Sequence, residues 1–159
     1  MTNLIRLTII CFIALISCAS TMAQNNKESK LSFSAKINGW NKHTNIPVTI
    51  TLTNNTSDTI SYVSMSCSWQ DIYTVNTKYF SILINECGKN FPTLIQIPPH
   101  SKEEKNLLLH IVEKNKLQNA QFKVGFHFVE VKKHEDIFTK SKELLNAGNI
   151  LWSNILELQ

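Results

Sequence analysis

The sequence predicts an all-β protein, an antiparallel two-sheet β-sandwich preceded by an N-terminal signal segment. Two observations carry this prediction. Apolar and polar side chains alternate with a period of two through several short segments, as in Val48, Ile50 and Leu52 against Thr49, Thr51 and Thr53, giving each segment one face to bury and one to hydrate. Turn-forming clusters such as Asn54-Asn55-Thr56-Ser57-Asp58 and Pro98-Pro99 separate these segments, and no long helical pattern or strand–helix–strand rhythm competes.

The chain opens with Arg6, the apolar run Leu7 to Ile16 and the small-residue stretch Ser17 to Ala23 before turning polar at Gln24. This is the anatomy of an export signal. The run is ten residues long, short of the roughly 20 that a membrane-crossing helix needs. Residues 1–23 therefore read as a signal peptide. Two processing routes fit the same stretch: cleavage after Thr21-Met22-Ala23, or lipid attachment at Cys18, since Leu15-Ile16-Ser17-Cys18 resembles the bacterial lipobox. In the plainer reading, Cys11 and Cys18 are apolar filler in a discarded leader.

Residues 24–30 are polar and aperiodic, a flexible lead-in to a single domain spanning 31–159. Val48 to Thr53 forms a half-buried strand, the Asn54–Asp58 cluster turns the chain, and Thr59 to Ser66, rich in β-branched and aromatic residues, pairs back as a hairpin. Lys78 to Glu86 and Thr93 to Ile97 follow as strands, the second stopped by Pro98-Pro99, which cannot donate to a ladder. Leu107, Leu109 and Ile111 then alternate with Leu108, His110 and Val112, predicting one core face and one partly covered face. Phe122, Val124, Phe126 and Phe128 point one way along a further strand and Lys123, Gly125, His127 and Val129 the other. Four large apolar side chains on one face require a layer to cover them. Residues 134–147, with Ile137, Phe138, Leu144 and Leu145, suit a short amphipathic helix ending near Gly148. Asn149 to Leu158 returns to a terminal strand with Ile150, Trp152, Leu156 and Leu158 in one phase and Leu151, Ser153 and Ile155 in the other.

Removing 23 of the 159 residues leaves 136, one domain's worth and enough to bury a core. From Gln24 onward there are fifteen Lys and no Arg against twelve Asp plus Glu, a net charge of about +3 without a basic block. The missing arginine weighs against nucleic-acid binding and phosphoryl chemistry, because Arg is the usual bidentate reader of phosphates and guanine edges. Cys67 and Cys87 survive signal removal, and two cysteines in an exported domain are expected to form a disulfide. Closing that ring stabilises by about 3 kcal/mol through loop entropy. Two buried free thiols are the plainer alternative, while a metal pair or redox dithiol requires closer C-x-x-C spacing or further ligands.

The stretch Ile46-Pro47-Val48-Thr49-Ile50-Thr51-Leu52-Thr53-Asn54-Asn55-Thr56, followed later by Ile97-Pro98-Pro99-His100-Ser101, resembles bacterial immunoglobulin-like domains of exported proteins. In those domains a strand ending in Asn-Asn-Thr/Ser precedes a hairpin and a Pro-Pro turn introduces a later strand. The likeness extends to the small domains grouped with proteinase inhibitors of the BsuPI type and to Ig-like domains of secreted Bacteroidetes proteins, and it covers residues 31–131. Its motifs encode turns, so what it implies is a fold. Trp69 lies two residues after Cys67, unlike the antibody pattern, where the core Trp falls well downstream of the first Cys, so an inter-sheet disulfide is not implied.

Metal-type side chains come close in sequence at His127, Glu130 and His134, but an odd offset on a strand sends His127 and Glu130 to opposite faces. His110 adds to them only if it shares a face with His127. No metal or cofactor is expected. Ser64, Ser66 and Ser68 surround Cys67, yet no G-x-S-x-G elbow accompanies them, the acids of type Asp are limited to Asp58, Asp71 and Asp136, and four glycines leave no phosphate-cradling loop. The chain is not expected to be an enzyme. Asn54-Asn55-Thr56 and Asn55-Thr56-Ser57 formally match glycosylation acceptors, although the turn reading suits a bacterial signal better.

Recognition by a loop remains. Ser68 to Tyr79 holds Trp69, Tyr73 and Tyr79 inside the expected disulfide ring, with Lys78 beside them, and aromatic side chains on a stapled loop make good interface anchors. In the plainer reading these aromatics plug the end of the core, and Trp40 is a lid over a sheet edge. The expected function is a non-catalytic exported Ig-like module, periplasmic, envelope-associated or secreted, that contacts a protein or glycan through the 68–79 loop. Two alternatives accompany it: a protease inhibitor or immunity-type protein using Lys78, and a structural lipoprotein held to the membrane only through Cys18.

Overall fold

The computed structural model describes residues 29–158 except 41–44, 115–116, 118, 146–147 and 149. The signal segment, Cys18 and most of the lead-in lie outside the described residues, and among the described residues no helix is long and apolar enough to cross a membrane. Eleven strands are described: β1 Leu31–Ile37, β2 Ile46–Asn54, β3 Ile60–Met65, β4 Tyr73–Val75, β5 Phe80–Ile82, β6 Pro92–Ile97, β7 Lys102–Ile111, β8 Gln121–Phe122, β9 Val124–His127, β10 Ile150–Trp152 and β11 Leu156–Glu157. A 3-10 turn at Trp69–Ile72 and one short helix, α1 at Ile137–Ser141, complete the described elements with a second 3-10 turn at Lys142–Leu145. Every strand pairing described is antiparallel.

The largest sheet runs β1-β2-β7-β5. Its centre is β2, whose residues alternate strictly between buried and half-buried, so that Val48, Ile50 and Leu52 enter the core while the intervening threonines face outward. The alternation read from the sequence therefore sets the register: Leu52 lies opposite Phe33 on β1 and Glu103 on β7, and a slip of one residue would put every threonine inside. Smaller sheets run β10-β9-β4, β11-β8 and β3-β6, so the expected hairpin between β2 and β3 does not form: the Asn54–Asp58 turn carries the chain from one sheet to another, where β3 pairs with β6. A bridge between Tyr62 and Glu130 joins β3 to the segment after β9. The main core cluster unites side chains of the large sheet with Tyr62, Tyr73, Phe122, Val124 and Phe126, while Val63, Val129 and Val131 form a second cluster against which Ile137 and Leu144 pack.

Several expected elements are cut short, each for a visible reason. The strand foreseen over 78–86 is confined to Phe80–Ile82, opposite Ile111, His110 and Leu109, with single bonds from Val112 N–H to the Tyr79 carbonyl and from Leu83 N–H to the Leu108 carbonyl at its two ends. The Phe122–Phe128 strand buries Phe122, Val124 and Phe126 as expected but breaks at Lys123, whose N–H bonds to the Asn76 side chain at 2.7 Å and whose carbonyl accepts from Asn76 N–H, and it ends at His127, so that Phe128 is half-buried and Val129, expected on the other face, is buried. The face of Leu108, His110 and Val112 is exposed instead of partly covered.

The terminal strand loses its phase at Ser153–Ile155. Ser153 is buried, its hydroxyl accepts from Val124 N–H and donates to the Asn154 carbonyl, and Ile155 swings out to 58% exposure. Pairing moves there from β9 to β8, and the Asn154 side chain turns to accept Ala35 N–H on the free edge of β1. The helix foreseen in 134–147 is a single turn capped by Asp136, which accepts from Thr139 N–H at 2.8 Å. Thr139 holds this carboxyl below the usual carboxylate range through that bond and its hydroxyl.

Candidate functional site

Cys67 and Cys87 are joined, with Cα atoms 6.2 Å apart, inside the span a disulfide tolerates. The bond joins two stretches that lie outside the strands. Cys67 lies two residues past the end of β3, whereas Cys87 sits in Leu83–Phe91, the irregular connection from β5 to β6. The other half of the ring, Ser68 to Tyr79, folds into the 3-10 turn, β4 and a turn into β5.

The predicted binding residues separate on this frame. Tyr73 is 8% exposed and stacks on Phe126 with ring centroids 5.2 Å apart, so it belongs to the core and offers no surface to a partner. Trp69 is half-buried, edge-on to Tyr73 at 5.9 Å, with the Lys105 ammonium 5.2 Å from its ring centroid. Tyr79 is half-buried as well, and its carbonyl accepts from Val112 N–H. Lys78 is exposed, but its ammonium pairs with Glu113 at 3.5 Å. The core-plugging reading thus describes Tyr73, and Trp40 likewise packs half-buried against the core.

Behind Trp69 lies a polar group set into apolar surroundings. Tyr62 donates to Glu103 at 2.7 Å, and Lys105 pairs with the same carboxylate at 3.0 Å. Burial raises the Tyr62 phenol far above its ordinary value, with Tyr73 and Glu103 adding to the effect, and burial raises Tyr73 in the same direction. Both stay neutral donors, which lets Tyr62 serve the carboxylate and leaves Lys105 to balance its charge.

Sequence reasoning missed Leu83–Phe91. Its residues are exposed apart from the half-buried Cys87, and a bend at Gly88 brings Lys89 to the outside. Asn90 clamps the far side: its carbonyl oxygen accepts Cys67 N–H at 3.2 Å and Ser68 N–H at 3.3 Å, while its amide donates to the Ser68 hydroxyl. Ser68 in turn donates to Asp71 at 2.6 Å, and Phe91 and Ser66 exchange bonds through Phe91 N–H to Ser66 Oγ and Ser66 N–H to the Phe91 carbonyl. Ser66 and Ser68 therefore brace a loop, whereas the Ser64 hydroxyl is buried without a hydrogen-bond partner. The signal for this was Asn90, three residues after Cys87, but a side-chain clamp has no periodicity by which to be found.

His127 lies on β9 opposite Ile150, Glu130 opposite Tyr62, and His134 is exposed in a turn with φ 78°. His110, on β7, contacts the Asn45 side chain. Among the described residues no group of three His, Cys, Asp or Glu side chains is arranged to hold a metal ion. The chain matches no protein-family model, and no curated protein matches it.

Proposed function

We propose that the chain is an exported, non-catalytic binding module of the cell envelope, an Ig-like β-sandwich that contacts a protein partner through the loops stapled by Cys67 and Cys87. The observation that carries this reading is the double fastening of Leu83–Phe91 onto Ser66–Ser68, by a disulfide on one side and by Asn90 on the other. Nine residues without regular structure are ordinarily costly to order at an interface, and fastening them beforehand removes much of that cost from association. A disulfide suits an oxidising compartment, in line with the signal-like leader. The sandwich is supported by the buried face of β2 and β7 meeting Tyr62, Tyr73 and Phe126 from other sheets in one core.

The partner class follows from the exposed side chains. Leu83, Ile84 and Phe91 are 37%, 50% and 54% exposed around the staple, an aliphatic and aromatic surface that suits protein contact more than the hydroxyl-rich face of a glycan. A photo-crosslinker placed at Ile84 in the native host envelope is expected to yield a discrete adduct, and the same group at Thr51 on the large sheet is expected to yield none. Equal adduct patterns from the two positions would remove the stapled loops from the proposal. Mass spectrometry of the mature N-terminus tests export: a retained Met1 contradicts it.

A further inference from the structure

We propose that a cavity beside the first 3-10 turn binds a free aliphatic α-amino acid as its zwitterion, with Asp71 taking the ammonium and Lys142 the carboxylate. The proposal goes beyond the binding-module reading, since this cavity shares no residue with the Leu83–Phe91 connection.

The cavity has a volume of about 280 Å³ and opens between two walls. Met65 at the end of β3, with Asp71 and Ile72 on the 3-10 turn, forms one; Ser141, Lys142 and Leu144, from α1 and the second 3-10 turn, form the other. Ordinary ligand pockets begin at roughly 300 Å³, so the occupant is small. Its hydrocarbon part is set by Met65, Ile72 and Leu144. Ile72 is buried in the main core, and Leu144 packs against Val63, Val129 and Val131, so this lining is fixed from behind. No aromatic ring lines the cavity, which suits an alkyl chain better than the flat face of a sugar or a base.

Charge decides the rest. Lys140 is matched by Glu135 at 3.4 Å and by Glu143 at 3.0 Å, whereas Lys142 is exposed and forms no ion pair among the described residues. Asp136 feels the Lys142 charge, but its carboxylate is already engaged by the N–H and hydroxyl of Thr139. Across the cavity, Asp71 is oriented without being neutralised. One of its carboxylate oxygens accepts the Ser68 hydroxyl at 2.6 Å, its N–H bonds to the Ser68 carbonyl at 3.0 Å, and no cation pairs with it among the described residues. Ser68 is itself clamped by Asn90, so the Asp71 carboxylate is placed before a ligand arrives. One unmatched anion and one unmatched cation beside a single alkyl-lined cavity fit a ligand that carries both signs at one end and hydrocarbon at the other. A free α-amino acid is built that way. A fatty acid or an alkylamine satisfies only one of the two charges, and a peptide separates its charged termini along the chain. Burial of the alkyl chain supplies most of the affinity, while the paired charges choose the ligand.

The test is a two-dimensional amide NMR titration of the disulfide-intact protein with L-leucine, followed at Met65, Ile72 and Leu144. Saturable shifts are expected at these positions. Glycine, which lacks the alkyl chain, is expected to bind at least about tenfold more weakly. 4-Methylpentanoate, without the ammonium, and 3-methylbutylamine, without the carboxylate, are each expected to bind about three- to fivefold more weakly, the scale of one ion pair at an exposed rim. Asp71→Asn can still accept from Ser68 and is expected to bind L-leucine and 4-methylpentanoate alike, and Lys142→Gln is expected to bind L-leucine and 3-methylbutylamine alike; the same spectra show that each variant folds. Absence of a saturable shift, or shifts confined to Leu83–Phe91, overturns the proposal. Wild-type protein that takes 4-methylpentanoate as tightly as L-leucine overturns it as well and marks a fatty-acid site. So does discrimination that survives unchanged in both variants. The Ile84 crosslink is independent of every one of these results, so the binding-module reading stands or falls separately.

Discussion

Asn54 offers the sharpest check on how the molecule holds its turns. It is fully buried at the end of β2, and its amide nitrogen lies 2.7 Å from the Asp58 carbonyl and 3.0 Å from each of the Ile97 and Pro98 carbonyls. Its carbonyl oxygen accepts Thr56 N–H at 2.9 Å and the Thr56 hydroxyl at 2.7 Å. Two amide hydrogens shared over three acceptors leave no spare capacity on the donor side. In Asn54→Ala the bond to Ile97, enclosed on all sides, loses its only side-chain donor, which costs about 1–3 kcal/mol for an unsatisfied buried group. The half-enclosed bonds to Asp58, Pro98 and Thr56 add roughly 0.5–1 kcal/mol each where water only partly replaces them. A total of about 2.5–6 kcal/mol is expected from urea unfolding followed by tryptophan fluorescence. Asn55→Ala is the control: that residue is exposed and donates to Ser29 alone, so the loss stays below about 1 kcal/mol. If the two variants lose equal stability, the clamp is not what joins the turns. Burial of the Asn54 amide also removes it as a glycan acceptor.

Two other perturbations test the core. Gly125 lies between Thr74 and Trp152 across its two neighbouring strands, and an added methyl would come within 2.7 Å of Ile150 Cγ2 and 2.8 Å of Thr74 Cγ2; Gly125→Ala is expected to lose about 1–3 kcal/mol, and an unchanged denaturation midpoint would contradict the packing. Tyr62 and Tyr73 have phenols raised in the fold above the ordinary value near 10. Because the unfolded chain releases those protons first, the stabilisation is complete below pH 10 and is lost as pH climbs beyond it. Tyr62→Phe is expected to flatten that decline, and an equally steep decline in the variant would refute the assignment.

What was legible in the sequence was whatever has a period. The alternation in β2 and at Leu107, Leu109 and Ile111 fixed both which residues are buried and which strands can be central. The Asn54-Asn55-Thr56 and Pro98-Pro99 motifs were each read as turns, but not that one holds the other, since their contact is made by one buried amide across 43 residues. The same limit applies near the chain end. Strand phase at Trp152 and Leu156 is reset by the Ser153 hydroxyl and the Asn154 side chain, and such local bonds compete with the ladder without altering the apolar pattern. The aromatic segment was read as recognition because Trp and Tyr suit interfaces; Tyr73 suits a core equally well, and the strand pairing with Phe126 decides between them.

The position of the disulfide says which task it performs. Loop-entropy stabilisation of about 3 kcal/mol comes from restricting the unfolded chain, wherever the bond lies in the fold. Its native constraint, by contrast, is local. Neither cysteine lies in a strand, both are half-buried, and the main apolar cluster closes from residues that contact each other without them. A bond needed to assemble the sheets would be expected between them; this one fastens the connection between β5 and β6 to the turn beside β3. The strands therefore have their own reason to persist when the bond is opened, whereas between Leu83, whose N–H bonds to the Leu108 carbonyl, and the Asn90–Phe91 clamp the connection loses its fastening. The local part of the constraint therefore falls on Leu83–Phe91 and the turn beside β3, while the entropic part supports the whole fold.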